Sequence, residues 1–287
     1  MTLILFHAGP EFPTYLNDCV RQVRIVSSVR IVVLMEPEHV DSVDTSVGDV
    51  TVVPLDTIPL DYFTHEYLKT TRLDAEWRGG FWRAASLRFF YIHNYAKIHG
   101  LRDIFHIEYD NLVYQDFLRQ LPAFQTRRMW CVMDAPTRCI PSFVYWQDAD
   151  AVFDLLLTLL GAGARGENDM TALASHAHKY PQGVGWLPIV TPGAGAPPEY
   201  SAELDRFGLL FDGAAVGQYI GGVDPRNQAG DTRGFINETT VFRCDRVRVE
   251  WRVGADGLRR PYLNDRPLVN LHIHSKDLRR WVSNTEA

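Results

Sequence analysis

Three short apolar runs near the start of the chain constrain the fold more than any other feature of the sequence. They span residues 3–7, 29–35 and 50–55. A strand with one exposed face alternates polar and apolar residues, whereas these runs are apolar almost throughout, which is typical of parallel strands covered on both faces. The sequence therefore predicts an α/β protein with a mostly parallel central sheet and helices on both faces.

Helical periodicity and further strand-like segments fill much of the remaining chain. Helices are predicted at residues 13–26, 66–71, 82–99, 148–160 and 168–178. Further strands are predicted at residues 103–107, 128–133, 238–244, 247–253 and 269–274. Asp256-Gly257 indicates a hairpin turn between the last two of these strands. We expect one domain, residues 1–287, in which the segments 1–120 and 121–287 share one sheet.

Charge and composition exclude several classes of protein. The formal net charge is −6, so the chain has no overall positive field for nucleic acid. No apolar stretch approaches the ~20 residues that span a bilayer, and the segment 10–13 ends the first apolar run too early for a signal peptide. The four cysteines match neither a zinc site nor a dense disulfide framework, so we expect buried thiols and a cytoplasmic location.

An acidic turn follows the predicted strand 103–107. It reads Glu108-Tyr109-Asp110-Asn111, and it stands at the carboxyl end of a strand, where ligands of open α/β sheets bind. Carboxylate and amide oxygens suit Mn²⁺ or Mg²⁺, and such an ion can bridge a nucleotide diphosphate. The alternative is that the two acids only solvate a loop.

A second acidic pair, Asp148 and Asp150, stands at the start of the predicted helix 148–160. Carboxylates in that position accept hydrogen bonds from free N–H groups and oppose the helix dipole. We therefore interpret this pair as a helix cap and not as a metal site.

The predicted strand 269–274 carries two histidines. His272 and His274 are two residues apart, so both side chains point to the same face of a strand. One could ligate a metal ion while the other orients the ligand or contacts a nucleotide, and we prefer His274 as the metal ligand. Lys276 offers a point charge for phosphate. The alternative is an ordinary strand with two surface histidines.

The acidic turn and the His-x-His-Ser-Lys segment together resemble the GT-A glycosyltransferases. The turn is similar to the DxD motif of this fold in its Glu-x-Asp form, and the second segment looks like the late His and Lys of glycogenin-like members. The resemblance implies a Rossmann-like GT-A domain with Asp110 and His274 on the metal ion and His272 beside them. It also implies Glu108 on the metal or the ribose, Lys276 on the diphosphate, Mn²⁺ or Mg²⁺, and a nucleotide sugar, expected to be a UDP-sugar.

The same resemblance implies further contacts with the donor. Members of the fold often place a basic residue on the helix before the acidic turn, near the diphosphate or the donor sugar. Arg88 fits that place, with Arg83 as the alternative, although an arginine there can also lie over apolar surface with its head in water. Ala8 after the first strand and Glu36 after the second stand where a GT-A nucleotide base normally lies.

Two acids are candidates for the catalytic base. Asp212 lies in the glycine-rich segment 211–222, which resembles the sugar-pocket and acceptor region of GT-A enzymes, where an acid can serve as general base. Asp169 opens the predicted helix 168–178 and could deprotonate the acceptor hydroxyl in an inverting transfer. For each acid the alternative is a helix cap.

The resemblance thus predicts metal-dependent transfer of a monosaccharide from a nucleotide sugar to a hydroxyl of a glycan or glycoconjugate. Residues 1–120 would be the nucleotide-binding half, and residues 121–287 would bind the sugar and the acceptor. A nucleotidyltransferase acting on sugar phosphates is one alternative, but the loop 8–11 lacks the Lys or Arg expected there. A non-catalytic glycan-binding protein with the same fold is another. A homodimer is left open.

Overall fold

The computed structural model describes residues 1–222, 224, 241, 244 and 248–284, and the predicted strand 238–244 lies almost wholly outside them. The strands are β1 (Thr2–His7), β2 (Arg30–Met35), β3 (Val50–Pro54), β4 (Arg102–His106), β5 (Asn111–Val113), β6 (Met129–Ala135), β7 (Arg138–Asp148), β8 (Val184–Trp186), β9 (Val249–Val253), β10 (Arg259–Leu263), β11 (Arg266–Pro267) and β12 (Asn270–His272). The α-helices are α1 (Tyr15–Val26), α2 (Tyr62–Thr70), α3 (Phe81–Ile98), α4 (Leu121–Phe124), α5 (Ala149–Arg165), α6 (Asp169–Lys179), α7 (Leu204–Phe207) and α8 (Ala215–Gly221).

Seven strands form one sheet in the order β3-β2-β1-β4-β7-β6-β8. Four neighbouring pairs are parallel, and the two pairs that involve β7 are antiparallel. Every residue of β1 is buried. Because successive side chains of a strand point to opposite faces, both faces of the sheet are covered there. The predicted α/β fold with a mostly parallel central sheet is confirmed, and the sheet takes strands from both segments of the chain.

Strand β7 has no counterpart among the predicted strands. It contains Pro141, and a proline within a run argues against a central strand because it cannot donate a ladder hydrogen bond. In the structure Val132 of β6 pairs with Ile140, while Trp130, two residues away, pairs with Tyr145. This irregular stretch of β7 accommodates the proline. An antiparallel strand can therefore lie between β4 and β6.

The ends of two helices show how local sequence sets their bounds. Asp148 Oδ1 accepts a hydrogen bond from Ala151 N at 3.0 Å, which confirms Asp148 as the cap of α5. Asn168 Oδ1 accepts one from Thr171 N at 3.1 Å, so the cap of α6 is Asn168. Asp169 is therefore the first residue of α6, and its carboxylate is left for other partners.

Two smaller sheets complete the described part of the chain. Asp256-Gly257 forms the predicted hairpin turn, with Gly257 at a φ of 77° that favours glycine. The turn joins β9 to β10, so the predicted pairing of strand 247–253 with strand 269–274 is wrong. Strand β12 pairs with β5 instead, a partner from the other half of the sequence that hairpin rules do not reveal.

Apolar side chains of the described residues form one continuous buried cluster, and all four cysteines are buried. Within the same residues no helix has the length and apolar character needed to cross a membrane. The single domain, the roles of its two halves, the cytoplasmic location and the homodimer stay predictions.

Candidate functional site

The pairing of β5 with β12 carries the C-terminal segment against the acidic turn. Strand β4 ends at His106, and the turn leads directly into β5. Asn111 lies opposite His272 in the strand pair, and Ile273 N donates a hydrogen bond to Asp110 O at 2.8 Å. The acids of the turn and the histidines of the C-terminal segment therefore meet at the carboxyl end of β4.

Asp110, His272 and His274 form a cluster that can hold a metal ion. One ligand atom from each residue lies within 4.8 Å of the others, and His272 Nε2 is 2.9 Å from Asp110 Oδ1. Asp110 and His272 are buried. His272 Nδ1 is also buried and has no hydrogen-bond partner among the described residues. A carboxylate with two imidazoles is a donor set that fits a divalent transition-metal ion.

Burial and neighbouring charges shift the pKa values within this cluster in opposite directions. Burial alone would raise the pKa of Asp110, but His272 and Lys276 outweigh it and hold that pKa well below its usual range. Burial also opposes protonation of His272, yet the Asp110 carboxylate raises the pKa of this imidazole. Burial, assisted by His272, lowers the pKa of His274 to about 3. At neutral pH His274 is therefore uncharged, as a metal ligand must be.

Lys276 completes the positive side of the cluster. Its Nζ contacts Asp110 Oδ2, and it lies 5.8 Å from the centre of the Tyr15 ring. Burial lowers the pKa of Lys276, but Asp110 outweighs this and raises it, so the ammonium stays charged. The backbone turns sharply here, with Lys276 at a φ of 65°. A left-handed conformation costs a non-glycine residue roughly 1–2 kcal/mol, so the rest of the fold must hold Lys276 in place.

Arg88 joins the acidic turn to helix α6. Its Nη1 lies 2.6 Å from Glu108 Oε1, and its Nη2 lies 2.5 Å from Asp169 Oδ2. Burial opposes the charge of Arg88, but the two carboxylates outweigh it and raise the pKa of the guanidinium. Conversely, Arg88 and His272 outweigh burial and lower the pKa of Glu108, whereas burial outweighs Arg88 and raises the pKa of Asp169. The guanidinium is thus neutralised by protein carboxylates.

A cavity of about 690 Å³ opens beside the cluster, within the size range of small-molecule sites. The predicted site residues that line it are Ala8, Arg88, Glu108, Asp110, Asp169, His272, His274 and Lys276. The other two, Glu36 and Asp212, are not among its lining residues. Glu36 is half-buried after β2, where burial and then Glu38 raise its pKa. The alternative basic residue, Arg83, does not line the cavity either and donates to Leu68 O.

Asp212 lies behind the cluster. Its Oδ1 accepts a hydrogen bond from Val216 N at 2.9 Å, and its Oδ2 accepts from Gly217 N at 2.8 Å and His272 N at 3.0 Å. Burial raises the pKa of Asp212, although these backbone N–H groups oppose the rise. The carboxylate thus ties the start of α8 to β12, which is the capping alternative and does not favour a role as base.

Several residues of the cavity wall were not among the predicted site residues. They are His7, Trp77, Phe81, Trp82, Asp134 and Arg138. His7 Nδ1 lies 3.0 Å from Tyr109 Oη, and Arg138 Nη2 lies 2.5 Å from Asp134 Oδ2. For Asp134 a signal was available, because it follows the predicted strand 128–133 as Glu108 follows strand 103–107. The aromatic residues carry no such positional signal.

Comparison of the sequence with protein-family descriptions and with curated proteins finds no match. The structure resembles mouse xyloside xylosyltransferase 1, at 9% identity and a TM-score of 0.48, over 65% of this chain and 84% of that one. It also resembles the galactosyltransferase LgtC, at 10% identity and a TM-score of 0.42, over 66% and 73% of the two chains. A third similar structure is the glycosyltransferase GlyE of Streptococcus pneumoniae, at 9% identity and a TM-score of 0.42, over 65% and 45%. A likeness at this level concerns the course of the chain and transfers no activity.

Proposed function

We propose that the protein is a metal-dependent glycosyltransferase that moves a monosaccharide from a nucleotide sugar, expected to be a UDP-sugar, to a glycan hydroxyl. The observation that carries the proposal is the meeting of Asp110, His272 and His274 within 4.8 Å on the wall of a cavity of about 690 Å³ that Lys276 also lines. This wall combines ligands for a cation with a fixed positive charge, as a diphosphate leaving group requires.

Asp110, His272 and His274 are the residues proposed to hold the ion. Their two imidazoles favour a transition metal such as Mn²⁺ over Mg²⁺, which takes oxygen ligands. When bound, the ion supplies positive charge to the departing diphosphate. Lys276 would serve the same phosphates, since its contact with Asp110 keeps the ammonium charged and directed at the cluster.

Arg88 and Glu108 are proposed to act together. Because both ends of the Arg88 guanidinium already bind carboxylates, its role is to orient Glu108 rather than to bind phosphate as the sequence alone suggests. Glu108 Oε2 also lies 3.4 Å from His272 Nε2. Glu108 would thereby hold His272 and face either the metal ion or the ribose of the donor.

Asp169 is the proposed group for the acceptor. It lines the cavity, and burial raises its pKa, which makes the carboxylate a stronger base. Asp212 remains the other candidate of the sequence, but its carboxylate is occupied by three backbone N–H groups. We assign Asp212 to the positioning of His272 through the bond to its backbone N–H.

Nucleoside diphosphate release with a panel of nucleotide sugars and Mn²⁺ tests this function. We expect release with one donor, enhanced by a glycan acceptor, and a loss of roughly 100-fold or more in Asp110→Asn because a direct cation ligand is replaced. Asp205→Asn is the matched control, since Asp205 is exposed and outside the cavity lining.

No release with any donor, together with no Mn²⁺-dependent binding of a nucleotide by calorimetry, would contradict the proposal. Pyrophosphate release from a nucleoside triphosphate and a sugar 1-phosphate would favour the nucleotidyltransferase instead. Glycan binding without turnover under any of these conditions would favour the non-catalytic protein.

A further inference from the structure

Three aromatic side chains of the cavity wall form what we call the aromatic lip: Trp77, Phe81 and Trp82. All three line the cavity, yet Trp77 is 43% exposed and Phe81 is 40% exposed. The rings of Trp77 and Trp82 are parallel within 1°, with centroids 6.0 Å apart. Phe81 meets the Trp82 ring edge-on at 4.8 Å. The guanidinium carbon of Arg78 lies over the rings of Trp77 and Phe81, 5.2 Å and 5.8 Å from their centres, so these rings are only partly open to solvent beside the polar site.

The backbone holds the aromatic lip in an uncommon conformation. Arg78, Gly79 and Gly80 follow one another with φ values of 51°, 67° and 76°. The two glycines adopt this region freely, but Arg78 does so at a cost. A Cβ on Gly80 would lie 3.1 Å from Ala75 O, so the turn is also tight. This turn returns the chain so that Trp77 lies over the first residues of α3.

Helix α3 links the aromatic lip to the proposed site of transfer. Phe81 and Trp82 are its first two residues, and Arg88 follows on the same helix. Seven residues from Phe81 to Arg88 span about 10 Å along a helix axis. Arg88 binds Glu108 at 2.6 Å, and Glu108 lies 3.4 Å from His272. Helix α3 and these contacts therefore connect the aromatic lip to the cation cluster, and residues of both line the same cavity.

The chemistry of the lip fits a sugar ring better than a wholly apolar ligand. Beside its rings, Arg78 Nη2 lies 3.7 Å from Asp224 Oδ2, and both of these residues line the cavity. A pyranose offers C–H bonds on one face, which pack against an aromatic ring, and hydroxyls at its rim, which bond to charged side chains. A wholly apolar ligand has no group that could form a hydrogen bond with Arg78 or Asp224.

We infer that the aromatic lip is the acceptor subsite and that it binds a pyranose residue of the acceptor by stacking on Trp77 and Trp82. The inference rests on the proposed function and names the residues that bind its glycan acceptor. The acceptor ring then lies at the mouth of the cavity, while the donor diphosphate lies at the cation cluster. The transferred sugar occupies the space between them.

Saturation-transfer difference NMR with methyl glycosides of glucose, galactose, xylose and N-acetylglucosamine tests this inference without turnover. We expect saturation on the ring C–H protons of at least one glycoside. The variant Trp77→Ala/Trp82→Ala should bind that glycoside about tenfold more weakly, equivalent to roughly 1.4 kcal/mol. Trp82→Phe should bind nearly as the unchanged protein does, because it keeps a flat ring. Tyr62→Ala is the matched control, since Tyr62 is 69% exposed and outside the cavity lining.

Calorimetry with Mn²⁺ and UDP on the same variants separates the two proposals. Unchanged binding of Mn²⁺ and UDP in the double variant shows that the protein is folded and that only the acceptor subsite has changed. Equal glycoside binding in the double variant and the unchanged protein would overturn the aromatic lip as the subsite. No binding of any methyl glycoside, or binding of a peptide that needs Trp77 and Trp82, would overturn the pyranose acceptor. Failure of Mn²⁺ and UDP to bind the unchanged protein would count against the proposed function alone.

Discussion

At the scale of single residues, the surroundings of a charge decide what it can do. Arg88 appears in the sequence as a cation near a diphosphate, but in the structure its guanidinium contacts the carboxylates of Glu108 and Asp169. In the sequence Asp212 is a candidate base, but in the structure its oxygens accept hydrogen bonds from three backbone N–H groups. Residue type and position along the chain indicate a charge near the site, and they do not reveal which partner has already neutralised it.

The first prediction concerns Arg88. Arg88→Met should lower the free energy of unfolding by about 3–5 kcal/mol, because it leaves the carboxylates of Glu108 and Asp169 without their common partner. Urea denaturation measures the change. Arg119→Met is the control: Arg119 is 82% exposed in its pair with Asp116, and such pairs contribute roughly 0–1 kcal/mol. Equal small effects in the two variants would show that Arg88 does not hold the two acids together.

At the scale of secondary-structure elements, local pattern predicts most of the sheet but not its strands β7 and β8 or the pair β5–β12. For β7, Pro141 argues against a central strand, because proline cannot donate a hydrogen bond in a regular ladder. The irregular pairing of β7 with β6 removes that objection. Strands β5 and β12 have only three residues each. The sequence predicts a strand at residues 269–274, which contains β12, but so few residues do not indicate which strand is the partner. The pairing of β12 with β5 depends on how the whole chain packs.

The second prediction concerns the packing of α8 on β12. A Cβ on Gly217 would lie 2.0 Å from His272 O, whereas a Cβ on Gly221 would have no neighbour closer than 3.6 Å. Gly217→Ala should therefore cost at least about 1–3 kcal/mol of stability and weaken Mn²⁺ binding, because His272 must move. Gly221→Ala, in the same helix, should change neither quantity. Urea denaturation measures the stability and calorimetry measures Mn²⁺ binding. An unchanged Mn²⁺ affinity in Gly217→Ala would show that the packing of α8 on β12 does not position the cation cluster.

At the scale of the whole molecule, buried histidines tie stability to pH. Burial, and then Lys179, lower the pKa of His176 to about 4; burial, and then Arg88, lower that of His106 to about 3. An unfolded chain protonates these rings near pH 6.5, so it binds more protons than the folded one in the window between. The stability that these two uncharged histidines contribute is therefore fully present above about pH 6.5, and it is lost as the pH falls below that value.

The third prediction follows from this sign. As the pH falls from about 7 to about 5, each of the two histidines should lower the free energy of unfolding by roughly 2 kcal/mol. His176→Gln should remove the contribution of His176 to this dependence of the unfolding free energy on pH, because glutamine does not titrate. Glutamine can still bond to Thr158 Oγ1, which lies 3.0 Å from His176 Nδ1. His99→Gln, at an exposed position, is the control. Urea denaturation across this pH range checks it, and a His176→Gln slope equal to that of the unchanged protein would contradict it.

The sequence by itself determined the α/β class, the parallel strands at the start of the chain, the helix cap at Asp148 and the place of the acidic turn. These features depend on residues close together in the chain, where periodicity and capping act directly. Only the tertiary structure decided that His272 and His274 meet Asp110. That meeting depends on contacts such as Asn270 Nδ2 to Asn111 Oδ1, 2.8 Å long between residues 159 positions apart. The aromatic lip likewise depends on the tertiary structure, because its proposed role requires the cavity that distant segments of the chain line together.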